Sequence, residues 1–297
     1  MRELERNSSP TVAQTVREAR AFLAGRRGLG KSIGFVPTMG ALHDGHLSLI
    51  RAARSENETV VVSVFVNALQ FNEPADLERY PRDLAQDTVL AAGAGTDLIF
   101  APSHAELYPE GFATTVTVAG PSSGLCGAAR GTKHFEGVAT VVAKLLNSVQ
   151  PDRAYFGQKD AQQVAVIKQL VQDLNIPTEI VACPTVREAD GLALSSRNTH
   201  LSPDEREQAR SISEALFAAA ELIGSPGTSV EDVVSRARSV LAEAEITPEY
   251  VEVIDALSMQ PQSTLDRNSL LAVAAYVGNT RLIDNLALQP RPVEVPA

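Results

Sequence analysis

The sequence predicts an α/β protein with a larger domain built on a parallel sheet and a smaller C-terminal α+β domain. In the first 186 residues, short apolar or β-branched runs alternate with segments of helical periodicity, and residues 59–66 form the clearest run. This alternation is typical of a parallel sheet covered by helices on both faces. After about residue 190, two long amphipathic segments precede three strand-like runs, which predicts a separate α+β domain.

The elements of the larger domain are expected in the order of these patterns. Helices are predicted over residues 11–25, with Thr11 as the N-cap, and over 45–55, 84–92, 137–149 and 161–174. Strands are predicted over 32–36, 59–66, 97–100, 153–156 and 179–182, and the alternating run 114–118 is predicted as an edge strand. Such a Rossmann-like sheet binds its ligands beyond the carboxyl ends of the strands. The residues that directly follow the strands are therefore the first candidates for a functional site.

The predicted boundary gives domains of residues 1–186 and 187–297. In the second domain, helices are predicted over 203–223 and 229–244, and strands over 250–254, 270–277 and 281–283. Gly278 and Asn279 are a turn-forming pair between the last two strands, so these strands are expected to form a hairpin.

Composition limits the partners that this protein is expected to bind. Acidic residues outnumber basic ones by 36 to 26, giving a net charge of −10, and the 297 residues include no tryptophan. Extended nucleic-acid binding needs basic patches and aromatic surfaces, so we expect no nucleic-acid partner. Cys126 and Cys183 have neither metal-type nor redox-type spacing, and no apolar run is long enough to span a membrane. We therefore expect a cytoplasmic protein, with no membrane partner, that acts on small molecules.

The most informative stretch is Pro37-Thr38-Met39-Gly40-Ala41-Leu42-His43-Asp44-Gly45-His46, which joins a predicted strand to a predicted helix. A helix start offers free backbone N–H groups and the positive end of the helix dipole, and both favour phosphate. His43 and His46 are three residues apart, so both can face the same side of the first helical turn. Imidazole N–H groups could add donors to a phosphate whose charge grows during a reaction. The stretch therefore predicts a nucleotide-phosphate site.

Two simpler interpretations of the histidine pair stay open at the level of sequence. Histidines near a helix start often serve as caps or lie in solvent. A His-x-x-His pair can also chelate a metal, but a metal site needs further ligands. The chain has only three other histidines, His104, His134 and His200, all distant in sequence.

Polar residues follow two other predicted strands. Asn67 and Gln70 come just after the run 59–66, where their amides can bind hydroxyl or carboxylate groups of a substrate, and loop capping is the alternative role. Lys159 and Asp160 follow the strand 153–156. The lysine can act as a point charge on phosphate, and the aspartate can accept ribose hydroxyls or cap the next helix.

A third polar segment, residues 190–198, lies at the predicted domain boundary. It combines a glycine with the hydroxyls of Ser195 and Ser196 and the guanidinium of Arg197. This combination predicts a lid over a polyphosphate, and a solvated linker is the alternative.

Together these stretches resemble the pantothenate synthetase (pantoate–β-alanine ligase) family over about residues 11–285. The blocks that carry the resemblance are 37–46, Phe65-Val66-Asn67, Gln70-Phe71, Arg79-Tyr80-Pro81-Arg82, His134-Phe135, Phe156-Gly157, Lys159-Asp160, Gln162-Gln163 and 190–198. The histidine turn alone is shared with class I aminoacyl-tRNA synthetases and many nucleotidyltransferases. All the blocks in this order are highly specific.

The resemblance implies an ATP- and Mg²⁺-dependent ligation in two steps, and it suggests a homodimer. Pantoate attacks the α-phosphate of ATP and gives pantoyl adenylate and pyrophosphate. The amine of β-alanine then displaces AMP and gives pantothenate.

The resemblance also implies a role for each matching residue. ATP would be bound by Met39, Gly40, His43, His46, Gly157, Lys159, Asp160, Val186, Leu194, Ser195, Ser196 and Arg197. Pantoate and β-alanine would be held by Gln70, Gln163, Asn67 and Arg130. The catalytic groups would be His46 as proton donor, together with His43, Lys159 and Arg197. Val186 would meet adenine through its backbone, and Asp87 resembles an acidic position near Mg²⁺.

The sequence departs from the usual family pattern in four places. Ala68 replaces a proline, Gln158 replaces an acidic residue, and Ala161 replaces an aromatic residue. The segment 130–133 is one residue longer than the usual pattern. None of these changes removes a residue with an implied chemical role. Ala68 and Ala161 are expected to loosen the pantoate site and raise KM.

Two rival functions belong to different classes. A nucleotidyltransferase acting on a phosphorylated cofactor precursor would share the histidine turn, but it would not explain the other blocks together. A degenerate nucleotide-binding module would not need His43, His46, Lys159 and Arg197 intact.

Overall fold

The computed structural model describes residues 9–71, 74–266 and 268–288. These residues belong to two compact units, and the chain passes between the units more than once. The first unit holds the chain up to Ala119, then Gly127–Gly157 and Val166–Pro184. The second holds Gly120–Cys126, Gln158–Ala165 and the chain from Thr185 onward. The division into domains of 1–186 and 187–297 stays a prediction.

The first unit contains a six-stranded sheet in which every pairing is parallel. Its strands are β1 (Thr11–Ala13), β2 (Ile33–Thr38), β3 (Thr59–Val64), β4 (Leu98–Phe100), β5 (Arg153–Gly157) and β6 (Glu179–Cys183). Their order across the sheet is β1-β4-β3-β2-β5-β6. This arrangement confirms the predicted Rossmann-like sheet, whose central strands β2 and β3 are almost wholly buried.

Helices connect these strands. They are α1 (Val16–Gly28), α2 (Asp44–Glu56), α3 (Pro74–Arg79), α4 (Leu84–Ala94), α5 (His104–Leu107), α6 (Leu125–Arg130), α7 (Thr132–Val149) and α8 (Ala161–Asp173). One core cluster joins the apolar face of α2, including Ile50 and Ala53, to Val60 and Val62 of β3. Burial of these apolar side chains fixes α2, and therefore the residues at its start, against the sheet.

The prediction of a helix over 11–25 was wrong at its start. Residues Thr11–Ala13 form β1, which pairs with β4. The helix begins only after Thr15, whose side chain accepts the backbone N–H of Glu18 while the Glu18 carboxylate accepts the backbone N–H of Thr15. The helix therefore starts with a reciprocal capping box at Thr15, and Thr11 is not its N-cap.

The prediction of an edge strand at 114–118 was also wrong. Within the described residues, this segment pairs with no strand of the sheet. The N–H of Val116 instead donates to the hydroxyl of Thr140 on α7, 2.9 Å away. A side-chain hydroxyl thus accepts the N–H group that would otherwise bond to a neighbouring strand. The alternation of polar and apolar residues does not reveal which of these two acceptors the N–H group meets.

The second unit contains two long helices and an antiparallel sheet. Its main elements are α9 (Pro203–Ala220), α10 (Val230–Glu243), β7 (Pro248–Asp255), β8 (Ser269–Val277) and β9 (Thr280–Ala287). The strands pair in the order β7-β8-β9, and Gly278 takes a φ of +53° in the predicted hairpin turn. Leu216 of α9 and Leu241 of α10 pack in one core with Val273 of β8. The predicted smaller α+β domain is confirmed as a fold class.

None of the helices in the described part of the chain combines the length and apolar character that a membrane span requires.

Candidate active site

The connection from β2 to α2 is a tight turn in the first unit. Gly40 and Ala41 have φ angles of +85° and +51°, so two successive residues lie in the left-handed region. A Cβ atom at Gly40 would lie 2.7 Å from Oδ2 of Asp87, which leaves no room for a side chain. The hydroxyl of Thr38 accepts the N–H of Gly40, which fixes the exit from the strand.

Asp87 of α4 fixes this turn through hydrogen bonds to its backbone. Its carboxylate accepts the N–H of Ala41 at 3.1 Å and the N–H of Leu42 at 2.8 Å. The residue is only 2% exposed. Both oxygens of the residue predicted near Mg²⁺ are therefore engaged by the backbone of the turn.

His43 and His46 cap α2 reciprocally. Nδ1 of His43 accepts the N–H of Gly45 at 3.2 Å, and Nδ1 of His46 accepts the N–H of His43 at 3.4 Å. The two rings lie 4.1 Å apart between centroids. A neutral imidazole that accepts at Nδ1 carries its proton on Nε2. Both histidines therefore have the capping role that was the alternative to phosphate binding. This capping selects the tautomer with the N–H donor at Nε2, the far end of each ring.

Asn67 and Gln70 are joined by a hydrogen bond after β3. Nδ2 of Asn67 donates to Oε1 of Gln70 and to the carbonyl of Gly137, both at 3.0 Å. The Tyr108 hydroxyl donates to Oδ1 of Asn67 at 2.9 Å, and Nε2 of Gln70 lies 3.1 Å from the sulfur of Met39. The structure thus brings Met39, Asn67 and Gln70 together in the first unit.

Sequence reasoning assigned no role to His134, which contacts this group. Its Nδ1 lies 2.8 Å from the carbonyl of Gln70, and its Nε2 lies 3.5 Å from a guanidinium nitrogen of Arg130. Because a carbonyl only accepts, Nδ1 carries the proton and Nε2 accepts from Arg130. The signal for His134 was present in the His134-Phe135 block, but only the fold shows which backbone group it meets.

Gly137 allows α7 to approach the 3₁₀ turn Ala68–Gln70 closely. A Cβ atom at this glycine would lie 2.4 Å from the carbonyl oxygen of Leu69 and 2.7 Å from the backbone nitrogen of Gln70. These are backbone atoms, so a side chain here would displace the turn that carries Gln70.

In the second unit, the 3₁₀ turn Gln158–Asp160 directly follows the last residue of β5, Gly157. The Lys159 side chain is 16% exposed, and its Nζ lies 3.9 Å from Oδ1 of Asp160. Nδ2 of Asn285 on β9 donates to the carbonyls of Gln158 and Lys159, at 3.0 and 2.9 Å. Sequence reasoning missed Asn285, because no pattern links β9 to this turn.

The neighbouring glutamines of α8 differ in their surroundings. Gln162 is buried, and its amide bonds the carbonyls of Pro121 and Gly124 and the N–H of Cys126. Gln163, predicted to bind pantoate, is partly exposed. Ala161, which stands where the family has an aromatic residue, is buried in an apolar cluster of this unit.

The predicted lid segment forms a small hairpin followed by a 3₁₀ turn. Leu194 donates its N–H to the carbonyl of Val186 at 3.0 Å, and Ser195 caps the turn Ser196–His200 by accepting the N–H of Arg197. Arg197 is exposed, whereas Asn198 is buried and donates to Glu188 and to the carbonyl of Ala193.

Two ion-pair groups hold the base of this hairpin. The guanidinium of Arg187 donates to both oxygens of Asp284 on β9, at 2.6 and 3.1 Å, and stacks on the ring of Phe217. Arg206 of α9 donates to Glu188 at 2.6 Å and to Asp190 at 2.7 Å. The hydrogen bond from Arg206 lowers the pKa of Glu188.

The predicted site residues therefore fall into two groups, each described within its own unit. The first unit carries Met39, Gly40, His43, His46, Asn67, Gln70, Asp87, Arg130 and Gly157. The second unit carries Lys159, Asp160, Gln163, Val186, Leu194, Ser195, Ser196 and Arg197.

A Rossmann-like sheet with a paired-histidine helix start, and with a lysine turn directly after another parallel strand, is typical of enzymes that bind nucleotide phosphates, which include ligases and nucleotidyltransferases. The chain belongs to the pantoate–β-alanine ligase family, because the family model described as pantoate-beta-alanine ligase matches residues 11–287. This confirms the resemblance read from the sequence. The chain is therefore a carbon–nitrogen ligase, and the nucleotidyltransferase alternative is not favoured.

Similar proteins agree with this assignment. The chain is 54% identical over 280 residues to the pantothenate synthetase of Moorella thermoacetica, covering 94% of this chain and 98% of that protein. It is 52% identical to the pantothenate synthetase of Pseudomonas fluorescens, covering 93% and 97%.

Two solved structures show the same fold. The pantothenate synthetase of Thermus thermophilus matches with a TM-score of 0.88 and 47% identity, covering 94% of this chain and all of that one. The pantoate-beta-alanine ligase of Francisella tularensis, complexed with beta-gamma ATP and beta-alanine, matches with a TM-score of 0.76 and 37% identity, covering 95% and 99%.

Proposed function

We propose that this chain makes pantothenate through an enzyme-bound pantoyl adenylate. In the first step a carboxylate oxygen of pantoate attacks the α-phosphorus of ATP, and the bond to pyrophosphate breaks. In the second step the uncharged amine of β-alanine attacks the acyl carbon, and AMP leaves with the electron pair of the broken C–O bond. The amine then loses a proton, which leaves the amide.

The observation that carries this proposal is the helix start of α2. His43 and His46 both accept backbone N–H groups at Nδ1, so each ring has its N–H on Nε2. These donors, with the amide dipoles of the helix start, are suited to the negative charge that grows on the phosphates. We assign His46 as the proton donor and His43 as a phosphate ligand.

Residues of the second unit are proposed to bind the rest of the nucleotide. Lys159 would supply a point charge to phosphate, and Asp160 would accept ribose hydroxyls. Val186 would meet adenine through its backbone. The residues 194–197 would close over the phosphates, with Arg197 adding a cation and Ser195 and Ser196 adding hydroxyl donors.

Pantoate and β-alanine are proposed to lie against the amide groups of Gln70 and Gln163. Arg130 would contribute charge to the same substrates. This assignment extends to the present chain the binding of beta-alanine, with which the Francisella tularensis ligase is complexed. The expected effect of Ala68 and Ala161 on the KM for pantoate stays a prediction.

Magnesium is proposed to enter with ATP. Among residues 9–71, 74–266 and 268–288, no group of three histidine, cysteine, aspartate or glutamate side chains could hold a metal ion. Phosphate oxygens and water, which commonly dominate the shell of Mg²⁺, would therefore supply most of its ligands. The nearness of Asp87 to that ion stays a prediction.

We further propose that the enzyme acts as a homodimer in the cytoplasm. Two buried free cysteines, Cys126 and Cys183, fit a reducing compartment. Light scattering of the purified protein would measure the mass, with twice the chain mass of 31.6 kDa expected and the chain mass itself contradicting the dimer.

The reaction is tested by product stoichiometry. Purified protein is incubated with ATP, Mg²⁺, pantoate and β-alanine, and then with each substrate omitted in turn. We expect one AMP and one pyrophosphate for each pantothenate, and no pantothenate when any substrate is missing. Formation of ADP and phosphate, or transfer of AMP to a phosphorylated acceptor, would contradict the proposed reaction.

A further inference from the structure

A chain of hydrogen bonds leads from Tyr108 to the proposed substrate-binding amide of Gln70. The Tyr108 hydroxyl lies 2.9 Å from Oδ1 of Asn67. Nδ2 of Asn67 lies 3.0 Å from Oε1 of Gln70 and 3.0 Å from the carbonyl oxygen of Gly137. All four residues belong to the first unit.

The backbone carbonyl of Gly137 fixes the direction of every bond in this chain. A carbonyl can only accept, so the NH₂ end of the Asn67 amide must face it. Oδ1 of Asn67 must then face Tyr108, whose hydroxyl is the donor. The second hydrogen on Nδ2 of Asn67 goes to Gln70, so Gln70 must present its oxygen to Asn67 and its NH₂ end elsewhere.

These directions separate the roles of the two amides. Asn67 is 1% exposed, and both ends of its amide are engaged within the protein. Gln70 is partly exposed, and its Nε2 lies near the sulfur of Met39, which is a weak acceptor. A carboxylate or hydroxyl oxygen of a substrate would be a far better partner for this NH₂ group.

We propose that Tyr108 is a positioning residue that acts through Asn67 to hold Gln70 as a hydrogen-bond donor toward pantoate. The inference rests on the proposed function, because it takes Gln70 as the residue that binds pantoate. It also changes the role of Asn67 from direct substrate contact to orientation of Gln70.

The groups around Tyr108 hold its ring in place and keep its hydroxyl protonated, so that it can donate a hydrogen bond. Its ring packs edge-on against Phe112, with centroids 5.0 Å apart, and the ammonium of Lys144 lies 5.7 Å from the ring centroid. Burial raises the pKa of Tyr108 to about 12, so the hydroxyl keeps its proton near neutral pH. The packed aromatic ring leaves the hydroxyl oxygen few alternative positions.

The test compares Tyr108→Phe with Tyr155→Phe, measuring KM for pantoate, KM for ATP and Tm. Tyr155 is a matched control, since its hydroxyl is also hydrogen bonded inside the first unit, to Glu56 and Asn57. We expect Tyr108→Phe to raise the KM for pantoate about tenfold with the KM for ATP unchanged. Tyr155→Phe should lower Tm without a selective effect on pantoate.

A double-mutant cycle distinguishes positioning from general destabilisation. If Tyr108 acts through Gln70, Tyr108→Phe should have no further effect on the KM for pantoate in a Gln70→Ala background. Asn67→Asp keeps an acceptor for Tyr108 but removes the donors to Gln70 and to the carbonyl of Gly137. It should therefore reproduce the selective rise in the KM for pantoate even if Tyr108→Phe folds poorly.

Two results would overturn the inference. One is an unchanged KM for pantoate in Tyr108→Phe and Asn67→Asp, and the other is an equal rise with and without Gln70. Either result, obtained with a wild-type enzyme that makes pantothenate, leaves the proposed function intact. A wild-type protein that makes no pantothenate would instead contradict the proposed function itself.

Discussion

Each histidine of the α2 start has two ends with different tasks. At Nδ1, His43 and His46 accept backbone N–H groups that would otherwise lack partners at the beginning of the helix. At Nε2 they have the donor that the proposed reaction needs. Structural capping and phosphate binding are therefore compatible uses of one ring, although the sequence presents them as alternatives.

Substitutions of His46 can separate these two tasks. His46→Asn keeps an acceptor at about the position of Nδ1 but lacks the distal donor, whereas His46→Gln extends an amide toward the position of Nε2. We expect His46→Asn to reduce kcat by ~10²–10³ with the fold intact, as for other lost transition-state donors. His46→Gln should retain more activity and lose more stability.

Turnover and Tm are measured for both variants beside His200→Ala, which removes an exposed histidine of the second unit. Near-normal turnover in His46→Asn would refute the assignment of His46 as proton donor.

Asp87 offers a second test at this scale. Its two oxygens accept the N–H groups of Ala41 and Leu42. Asp87→Asn would place an NH₂ group against one of these donors, so we expect a loss of ~1–3 kcal/mol in unfolding free energy. The KM for ATP should rise as well, because the turn carries His43.

Thermal unfolding and a Mg²⁺ titration of activity decide between two roles for Asp87. A lower Tm with an unchanged Mg²⁺ requirement supports its role in holding the turn. An unchanged Tm with a raised Mg²⁺ requirement would support the metal role instead.

At the scale of elements, β9 braces two parts of the proposed nucleotide site within the second unit. Adjacent residues of a strand point to opposite faces. Asp284 binds Arg187 at the base of the lid hairpin, and Asn285 binds the carbonyls of the turn that carries Lys159. Both residues are buried.

Asn285→Asp tests this brace. The carboxylate has nearly the size of the amide but cannot donate, and it would face two carbonyl oxygens. We expect the KM for ATP to rise about tenfold, because the Lys159 turn would lose its fixed position. Asn279→Asp makes the same chemical change at an exposed turn of the same hairpin and should leave the KM for ATP unchanged. Equal KM values for both variants would contradict the brace.

The order of strands and helices could be predicted because most elements have strong local patterns. The β-branched run of β3 and the Gly278–Asn279 turn are examples, and both have the predicted structure. β1 was missed because its three residues adjoin a helical pattern, and its partner β4 is distant in sequence. Short elements of this kind depend on tertiary pairing, which periodicity does not encode.

The whole molecule carries a net charge of −10. Two of its carboxyl groups, both in the second unit, have pKa values that are lowered by hydrogen bonds. The pKa of Glu188 is lowered by its hydrogen bond from Arg206, and the pKa of Asp232 is lowered by hydrogen bonds from Ser229 at the start of α10. A carboxyl whose folded pKa is lowered stabilises the fold above its unfolded pKa and loses that effect as pH falls.

We therefore expect Tm to fall steeply as pH drops below about 4, where ordinary carboxyl groups take up protons. Glu188→Gln should make this fall shallower, since one of the responsible groups is gone. Glu221→Gln, at an exposed position of the same unit, should follow the wild type. Calorimetry between pH 7 and pH 3 measures all three proteins, and equal slopes for Glu188→Gln and wild type would contradict the role of Glu188.

Some residues of the candidate site could be predicted from the sequence, and others could not. Residues directly after strands, such as Lys159, could be proposed as site residues because parallel sheets bind ligands at that edge. Tyr108, Gly137 and Asn285 were missed because they contact the site through backbone or buried groups from elements distant in sequence. These residues hold other groups in position, and no local sequence pattern indicates such a role.

The most direct measurement of the proposed mechanism is exchange of labelled pyrophosphate into ATP with β-alanine absent. An adenylate that forms before the amine reacts predicts exchange that requires pantoate and Mg²⁺ and that His46→Asn reduces by ~10²–10³. Exchange without any carboxylate, or none with pantoate under conditions in which pantothenate still forms, would contradict the pantoyl adenylate.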